Sequence, residues 1–155
     1  MAGLSFEHLV REPLAIAVRA GHPLLDEIPA AAAQLARFPV VVPPAATLIR
    51  RLADNVLTAF GARTSTSLIE TMSVSLGREL TLHHDAVWFV PVGAIEHDLA
   101  VRLLVELPVP HVGTDEPIGL LRRIGEPPAP AELALADAIR DVARKRSATQ
   151  AGVRP

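Results

Sequence analysis

The chain has 155 residues, of which half are hydrophobic and 21% are charged, and its formal net charge is −2. This composition predicts one folded domain and excludes intrinsic disorder, because the chain can bury enough apolar surface to offset its ordering entropy. The charge balance argues against DNA binding by this chain itself, and aromatic residues at 3% leave no base-stacking platform for single-stranded nucleic acid.

The sequence contains no cysteine, which excludes a disulfide framework and a thiolate metal site. The first residues, MAGLSFEHLVREPL, lack the basic segment and apolar core of a signal peptide. No uninterrupted apolar run reaches the ~20 residues that span a bilayer. We therefore expect a cytoplasmic chain that makes no membrane contact.

The first predicted elements alternate between strands and helices. The apolar run LAIAVR, residues 14–19, is closed by the turn AGHP and predicts a buried strand. The segment IPAAAAQLARF from Ile28 predicts a short helix, and the valines 40–42, bracketed by prolines, predict a short strand. The clearest amphipathic helix covers residues 46–60 and ends at Gly61.

The second half continues the alternation. RTSTSLIE predicts a half-buried strand, and Thr71 is placed to N-cap a short helix over MSVSLGREL. Residues 86–90 form a continuous apolar strand ended by Pro91, and VGAIEHDLA predicts a turn of helix beyond it. Two more strands, RLLVELPV and PIGLLRRI, precede a closing helix, PAPAELALADAIRDVARKR. This order predicts an α/β domain with a mainly parallel sheet covered on both faces.

One basic cluster, RDVARKR at residues 140–146, lies on the predicted closing helix. Basic side chains at a helix C-terminus interact favourably with the helix dipole. We interpret the cluster as a solvated helix end and keep a nucleic-acid patch as the weaker alternative.

Two polar clusters flank the strand at residues 86–90, namely HHD at 83–85 and EHD at 96–98. A metal site would need three or four of these groups to converge on one ion, but neighbouring residues of an extended chain point to opposite faces. The patterns H-E-x-x-H, G-x-S-x-G, G-x-G-x-x-G and the P-loop are all missing. We therefore interpret the clusters as element boundaries and predict no catalytic residue, no metal and no cofactor.

Ligand binding at strand-to-helix junctions remains the favoured chemistry. In open α/β sheets, ligands lie beyond the carboxyl ends of the strands, where helix N-termini present free N–H groups to anions. Three junctions fit this position: VVVPPAATLIR, LIETMSVS and WFVPVGAIE. Their hydroxyl groups belong to Thr47, Thr71 and Ser73, and Arg50 is a candidate carboxylate partner. Thr71 can serve equally well as a simple N-cap.

The stretch LSFEHLVREPLAIAVRAGHPLL resembles the middle of the effector-binding domain of LysR-type transcriptional regulators, where E-P-L and G-H-P-L bracket a strand. The run ETMSVSLGRELTLHHDAVWFVPVGAIEHDLAVRLLVELPV is most similar to the regulators of protocatechuate catabolism. The resemblance implies a fold like that of type 2 periplasmic binding proteins, with a small-molecule effector between two α/β subdomains. Residues 38–109 would form one complete subdomain, and residues 4–37 with 117–146 would form part of the other.

The family's winged helix-turn-helix, linker helix and first strand-helix-strand units have no counterpart in this sequence. The resemblance therefore implies no DNA contact for this chain, and only the second wall of the effector cleft carries over. With Arg50, the implied effector-binding residues are Thr47, Thr71, Met72, Ser73, Val74, Pro91, Val92 and Gly93.

The leading hypothesis is a partial effector-binding domain of a LysR-type regulator that senses a small carboxylate, aromatic or derived from an aromatic compound. The alternative is a stand-alone solute-binding module of the same fold without a transcriptional role. An enzyme ranks third, because the fold also hosts enzymes and two histidine clusters are present. A first subdomain without its central strands would expose sheet edges and apolar surface, so we expect a homo-oligomer.

Overall fold

In the computed structural model, the described residues are 3–27, 34–59, 61, 67–108 and 116–153. The chain divides into two compact units. The larger unit is continuous and runs from Pro13 to Glu116, whereas the smaller unit combines Met1–Glu12 with Pro117–Pro155. In the part of the chain that the structure describes, no helix is long and apolar enough to cross a membrane.

The smaller unit consists of a two-stranded sheet and one long helix. Strand β1, Leu4–Glu12, pairs with the last strand, β7, Glu116–Arg123, and helix α4, Pro130–Val153, packs against β1. The guanidinium of Arg140 in α4 donates to both carboxylate oxygens of Glu7 in β1 at 2.7 Å. The strand over PIGLLRRI and the closing helix were predicted correctly, but β1 was missed.

The basic cluster at residues 140–146 lies in the middle of α4, since the helix continues to Val153. The prediction of a helix end was therefore wrong, although the cluster is neutralised by nearby carboxylates. Its arginines pair as follows: Arg140 with Glu7 and Asp137, Arg144 with Asp141, and Arg146 with Glu12.

The larger unit contains five strands and three helices among its described residues. Each of these three helices directly follows a strand, as the sequence predicted. In chain order the elements are β2 Leu14–Arg19, β3 Val40–Val42, α1 Leu48–Ala59, β4 Leu68–Glu70, α2 Val74–His83, β5 Val87–Pro91, α3 Val92–Ala100 and β6 Leu104–Glu106. The helix predicted from Ile28 falls mostly on residues outside the described ranges, and its described end, Leu35–Arg37, is a 3-10 turn.

The strands of the larger unit lie in the order β4-β3-β5-β2-β6. Strand β3 is parallel to β4 and β5, whereas β2 is antiparallel to both β5 and β6. Four strands therefore share one direction and β2 alone is reversed, which makes the predicted mainly parallel sheet a mixed one. Strand β2 is buried on both faces, and such a strand reads as a continuous apolar run in either direction.

Two apolar layers cover the two faces of this sheet, which confirms the predicted α/β class. Alternate residues of β2 show the division: Ile16 packs in the layer that includes α1, whereas Ala15 and Ala17 belong to the layer with Trp88 and Ile95. The small side chains of Ala15 and Ala17 on that second face leave room for the indole ring of Trp88.

The subdomain boundary expected at residue 38 differs from the division in the structure. Strand β2, assigned with residues 4–37 to the partial subdomain, is instead an interior strand of the larger unit. It pairs Leu14 with Pro91 on one side and Arg19 with Leu104 on the other. The boundary between the two units therefore lies at Pro13. Strand β2 belongs to the larger unit because it pairs with β5 and β6, although β1 directly precedes it in the sequence.

Candidate functional site

The three predicted junctions meet at one edge of the larger sheet, which we call the carboxyl edge. The register places Val42 of β3 beside Glu70 of β4, and Leu14, the first residue of β2, beside Pro91 of β5. Because β3, β4 and β5 run in the same direction, the segments that follow them all emerge there. The Val92 N–H donates to the Pro13 carbonyl at 3.1 Å and ties the entry of β2 to this edge.

Thr47 caps the start of α1 and stiffens the loop after β3. Its hydroxyl donates to the Pro44 carbonyl at 2.9 Å and accepts from the Arg50 N–H at 3.1 Å. Both hydrogen-bonding roles of this hydroxyl are thus used within the loop. Thr47 shapes the carboxyl edge even without a ligand.

Arg50 lies beneath that loop and connects three chain segments. It is 9% exposed. Its Nε donates to Asp54 at 3.0 Å, and its Nη1 donates to the Pro43 carbonyl at 3.2 Å and to the Glu70 carboxylate. The hydrogen bond to Glu70 raises the pKa of Arg50 above its ordinary value. The carboxylate partners of Arg50 in the structure are therefore two residues of the chain itself.

The junction after β4 carries Thr71, Met72, Ser73 and Val74 in one turn. The predicted N-cap was wrong by two residues, because Ser73 Oγ, not Thr71, accepts from the Leu76 N–H, at 3.2 Å. Thr71 Oγ1 accepts instead from the Ser73 N–H at 2.9 Å, a local turn that competes with helix capping. Met72 and Val74 are exposed. A short apolar surface thus sits beside a helix start, where the first N–H groups have no partner within the helix.

The junction after β5 offers backbone instead of polar side chains. Pro91 occupies the N-cap position of α3 with φ −60° and ψ 135° and makes no side-chain cap hydrogen bond. Pro91, Val92 and Gly93 are all half-buried. A ligand at this point would therefore meet the first turn of a helix, where the dipole favours negative charge.

Two residues of the carboxyl edge, Glu70 and Pro13, were not predicted from the sequence. An ion pair between α2 and α3 was not predicted either. Asp98 of α3 is buried and receives Arg78 of α2 through bidentate bonds of 3.0–3.1 Å. Glu70 could have been noticed as a carboxylate that directly ends a strand next to the Arg50 helix. The Arg78 pair has no such signal, because it depends on how two helices lie side by side.

The cluster at residues 83–85 lies at an element boundary, as predicted, whereas residues 96–98 lie within α3, where His97 is exposed and Asp98 is buried instead of being a surface group. His83 ends α2, and the His84 N–H closes that helix by donating to the Leu80 carbonyl at 3.0 Å. Asp85 then turns the chain with φ 51° and accepts from Arg19 Nε at 2.6 Å. Among the described residues, no three metal-binding side chains come together.

His22, from the turn after β2, is buried next to this boundary. Its Nδ1 accepts from the Leu24 N–H at 3.1 Å, so the proton lies on Nε2, which donates to the Asp85 carbonyl at 3.1 Å. Burial lowers the pKa of His22 and keeps the ring neutral. This histidine joins two turns and has a structural part in the fold.

The mixed sheet with helices on both faces defines an α/β domain, and its carboxyl edge is the position at which open α/β sheets bind ligands. The sequence model described as the LysR substrate binding domain matches residues 1–144. The chain therefore belongs to the LysR substrate-binding domain family. The fold is that of LysR effector-binding domains, which are periplasmic-binding-protein-like.

Two curated relatives illustrate the sequence likeness. The chain is 44% identical over 124 residues to the HTH-type transcriptional regulator YdcI of Escherichia coli, covering 80% of this chain and 40% of that protein. It is 36% identical over 143 residues to the HTH-type transcriptional regulator PcaQ of Agrobacterium fabrum, covering 92% and 46%. The chain thus spans a little under half the length of these relatives.

A solved structure supports the fold independently. The effector-binding domain of QuiR in complex with shikimate superimposes with a TM-score of 0.64 at 17% sequence identity, covering 92% of this chain and 66% of that one. At this identity the similarity concerns the fold alone.

Proposed function

We propose that this chain senses a small carboxylate effector, aromatic or derived from an aromatic compound, as part of a LysR-type transcriptional regulator. The observation that carries the proposal is the convergence of three strand-to-helix junctions at one edge, above a buried arginine. The effector-binding domain of QuiR, which has a similar fold, holds shikimate, a carboxylate, and helix starts such as those at this edge favour anions. The proposed effector-binding residues are Thr47, Arg50, Thr71, Met72, Ser73, Val74, Pro91, Val92 and Gly93.

Different residues would bind the carboxylate and the apolar part of the effector. The helix start after β4 would supply N–H donors for the carboxylate, and the dipole of the helix after β5 would add a favourable field, since such ends favour anions. Exposed Met72 and Val74 would contact the apolar part of the effector. The larger unit then corresponds to one subdomain of the family's effector domain, and the smaller unit contributes to the other.

We favour a domain of a transcriptional regulator over a stand-alone solute-binding module, because both of these curated relatives are transcriptional regulators. In this proposal the chain itself makes no DNA contact, uses no cofactor and catalyses no reaction. Its place is the cytoplasm, where a bacterial regulator meets DNA.

The first test is a thermal-shift screen of the chain against aromatic acids, each paired with its primary amide. A ligand at 100 times its dissociation constant should add about 2.7 kcal/mol of stability. We expect at least one acid to raise the melting temperature while its amide does not. A panel without any stabilising acid would contradict the proposal.

We further propose that the chain forms a homo-oligomer through the smaller unit. Leu121 and Ile124 in and after β7 and Leu135 and Val142 in α4 are each more than half exposed, and such apolar surfaces mark association sites. Sedimentation velocity at rising micromolar concentration should show self-association that Val142→Glu weakens. The control Ser147→Glu, at an exposed position of the same helix, should leave it unchanged. A monodisperse wild-type monomer would contradict this proposal.

A further inference from the structure

We propose that Glu70 is a built-in competitor at the effector site: an effector carboxylate binds Arg50 by taking the place of the Glu70 carboxylate. This inference rests on the proposed function of the carboxyl edge. It identifies the group that the ligand must displace and therefore what sets the affinity of the site.

Arg50 has the features of a fixed anion receptor. Its side chain is 11% exposed and is held by Asp54 from its own helix and by the Pro43 carbonyl from the loop after β3. Neither contact involves Glu70, so the guanidinium would stay in position if Glu70 moved away. Its Nη2 makes no hydrogen bond to any of the described residues.

Glu70 has the features of a replaceable partner. Its side chain is 48% exposed, and Arg50 is its only hydrogen-bonding or ionic partner among the described residues. It engages the guanidinium through Nη1 alone. A free carboxylate could span Nη1 and Nη2 together, and such bidentate pairs are stronger than a single contact. The exchange would cost the fold little, because nearly half of the Glu70 side chain is already exposed and Arg50 keeps Asp54 as a carboxylate partner.

The position of the pair connects it to the ligand site. Glu70 is the last residue of β4, and Thr71 follows it directly into the turn that starts α2. A carboxylate that replaced Glu70 would therefore lie next to the Ser73 cap and the N–H groups of the helix start. The displaced Glu70 would move into solvent beside the edge.

The test compares Glu70→Gln with the wild-type chain by calorimetric titration of benzoate and benzamide. We expect Glu70→Gln to bind benzoate about threefold or more tightly, the change expected when a partly exposed ion pair is released, and benzamide without change. Asp54→Asn is the matched control, because it removes the other carboxylate that Arg50 contacts, which belongs to the same helix as Arg50. It should raise benzoate affinity less than Glu70→Gln.

A second variant, Glu70→Asp, keeps the charge but withdraws it from Arg50 by one methylene and should also strengthen benzoate binding. Unchanged benzoate affinity in Glu70→Gln, or an equal gain in Asp54→Asn, would overturn the exchange. Benzoate binding to neither the wild type nor Glu70→Gln would overturn it as well. Another acid that stabilises the wild type but binds Glu70→Gln equally well would refute the exchange and leave the proposed function standing.

Discussion

His22 shows how one buried side chain can couple two distant turns. Its Nδ1 accepts a hydrogen bond within the turn after β2, and its Nε2 donates to the turn before β5. The ring also packs at a tilt against Phe38, with the two ring centroids 4.6 Å apart. The hydrogen bond from the Leu24 N–H needs the neutral ring, because a proton on Nδ1 would remove its acceptor, whereas Nε2 can donate to Asp85 in either protonation state. The turn after β2 is therefore sensitive to protonation.

This arrangement predicts a pH dependence of stability. Burial lowers the pKa of His22 in the folded chain, whereas the unfolded value is about 6.5, so the unfolded state takes up more protons. The contribution is fully present above pH ~6.5 and is lost as the pH falls toward the folded pKa. Urea unfolding at a series of pH values between pH ~8 and pH ~5 should show that the free energy of unfolding falls on acidification.

His22→Gln should flatten this dependence, although the variant itself is less stable. His97→Gln removes an exposed histidine and should leave the slope unchanged. If His22→Gln retained the wild-type slope, another group would have to carry the effect.

At the scale of elements, helix α2 approaches β5 closely enough to exclude a side chain. A Cβ at Gly77 would lie 2.5 Å from the Trp88 ring, and Trp88 is 4% exposed. The ring cannot withdraw, because the alanines of β2 and Ile95 surround it in the same layer. Gly77 therefore sets the distance between α2 and the sheet, and so the position of Ser73 at the carboxyl edge.

Gly77→Ala should destabilise the chain by about 1–3 kcal/mol through overpacking. In an isolated helix the same substitution would instead stabilise by roughly 1 kcal/mol, because alanine has the higher helix propensity. The control Ser75→Ala, at an exposed position of the same helix, should change stability by less than about 0.5 kcal/mol. Urea unfolding measures both variants. A Gly77→Ala chain as stable as the wild type would show that the ring and helix can separate without cost.

At the scale of the whole molecule, the larger unit holds both apolar layers by itself. All residues of the two core clusters fall between Leu14 and Leu107, and every ladder of the five-stranded sheet joins strands of that unit. Hydrophobic burial is the dominant favourable term in folding. The smaller unit is therefore not needed to complete this core.

A fragment of residues 13–116 should accordingly fold alone. We expect a dispersed amide NMR spectrum and a single cooperative thermal transition by circular dichroism. The matched fragment 20–116 lacks strand β2, which lies between β5 and β6, and should show neither. A non-cooperative transition in the fragment 13–116 would mean that the smaller unit stabilises the larger one.

The sequence by itself determined the α/β class, most of the elements and the three junctions. Continuous apolar runs such as 14–19 and 86–90 identify buried strands, because only strands covered on both faces can lack alternation. Proline at positions 43 and 91 marks strand ends. These signals are local, so a single chain is enough to read them.

The tertiary structure alone decided the direction of β2, the boundary at Pro13 and the partners of Arg50. A strand buried on both faces carries no sign of its direction, and its neighbours are chosen by pairing over long sequence distances. Arg50 and Glu70 are 20 residues apart and meet only because β3 and β4 lie side by side. Whether a polar residue faces a ligand or another residue of the chain depends on such contacts, which the order of residues does not contain.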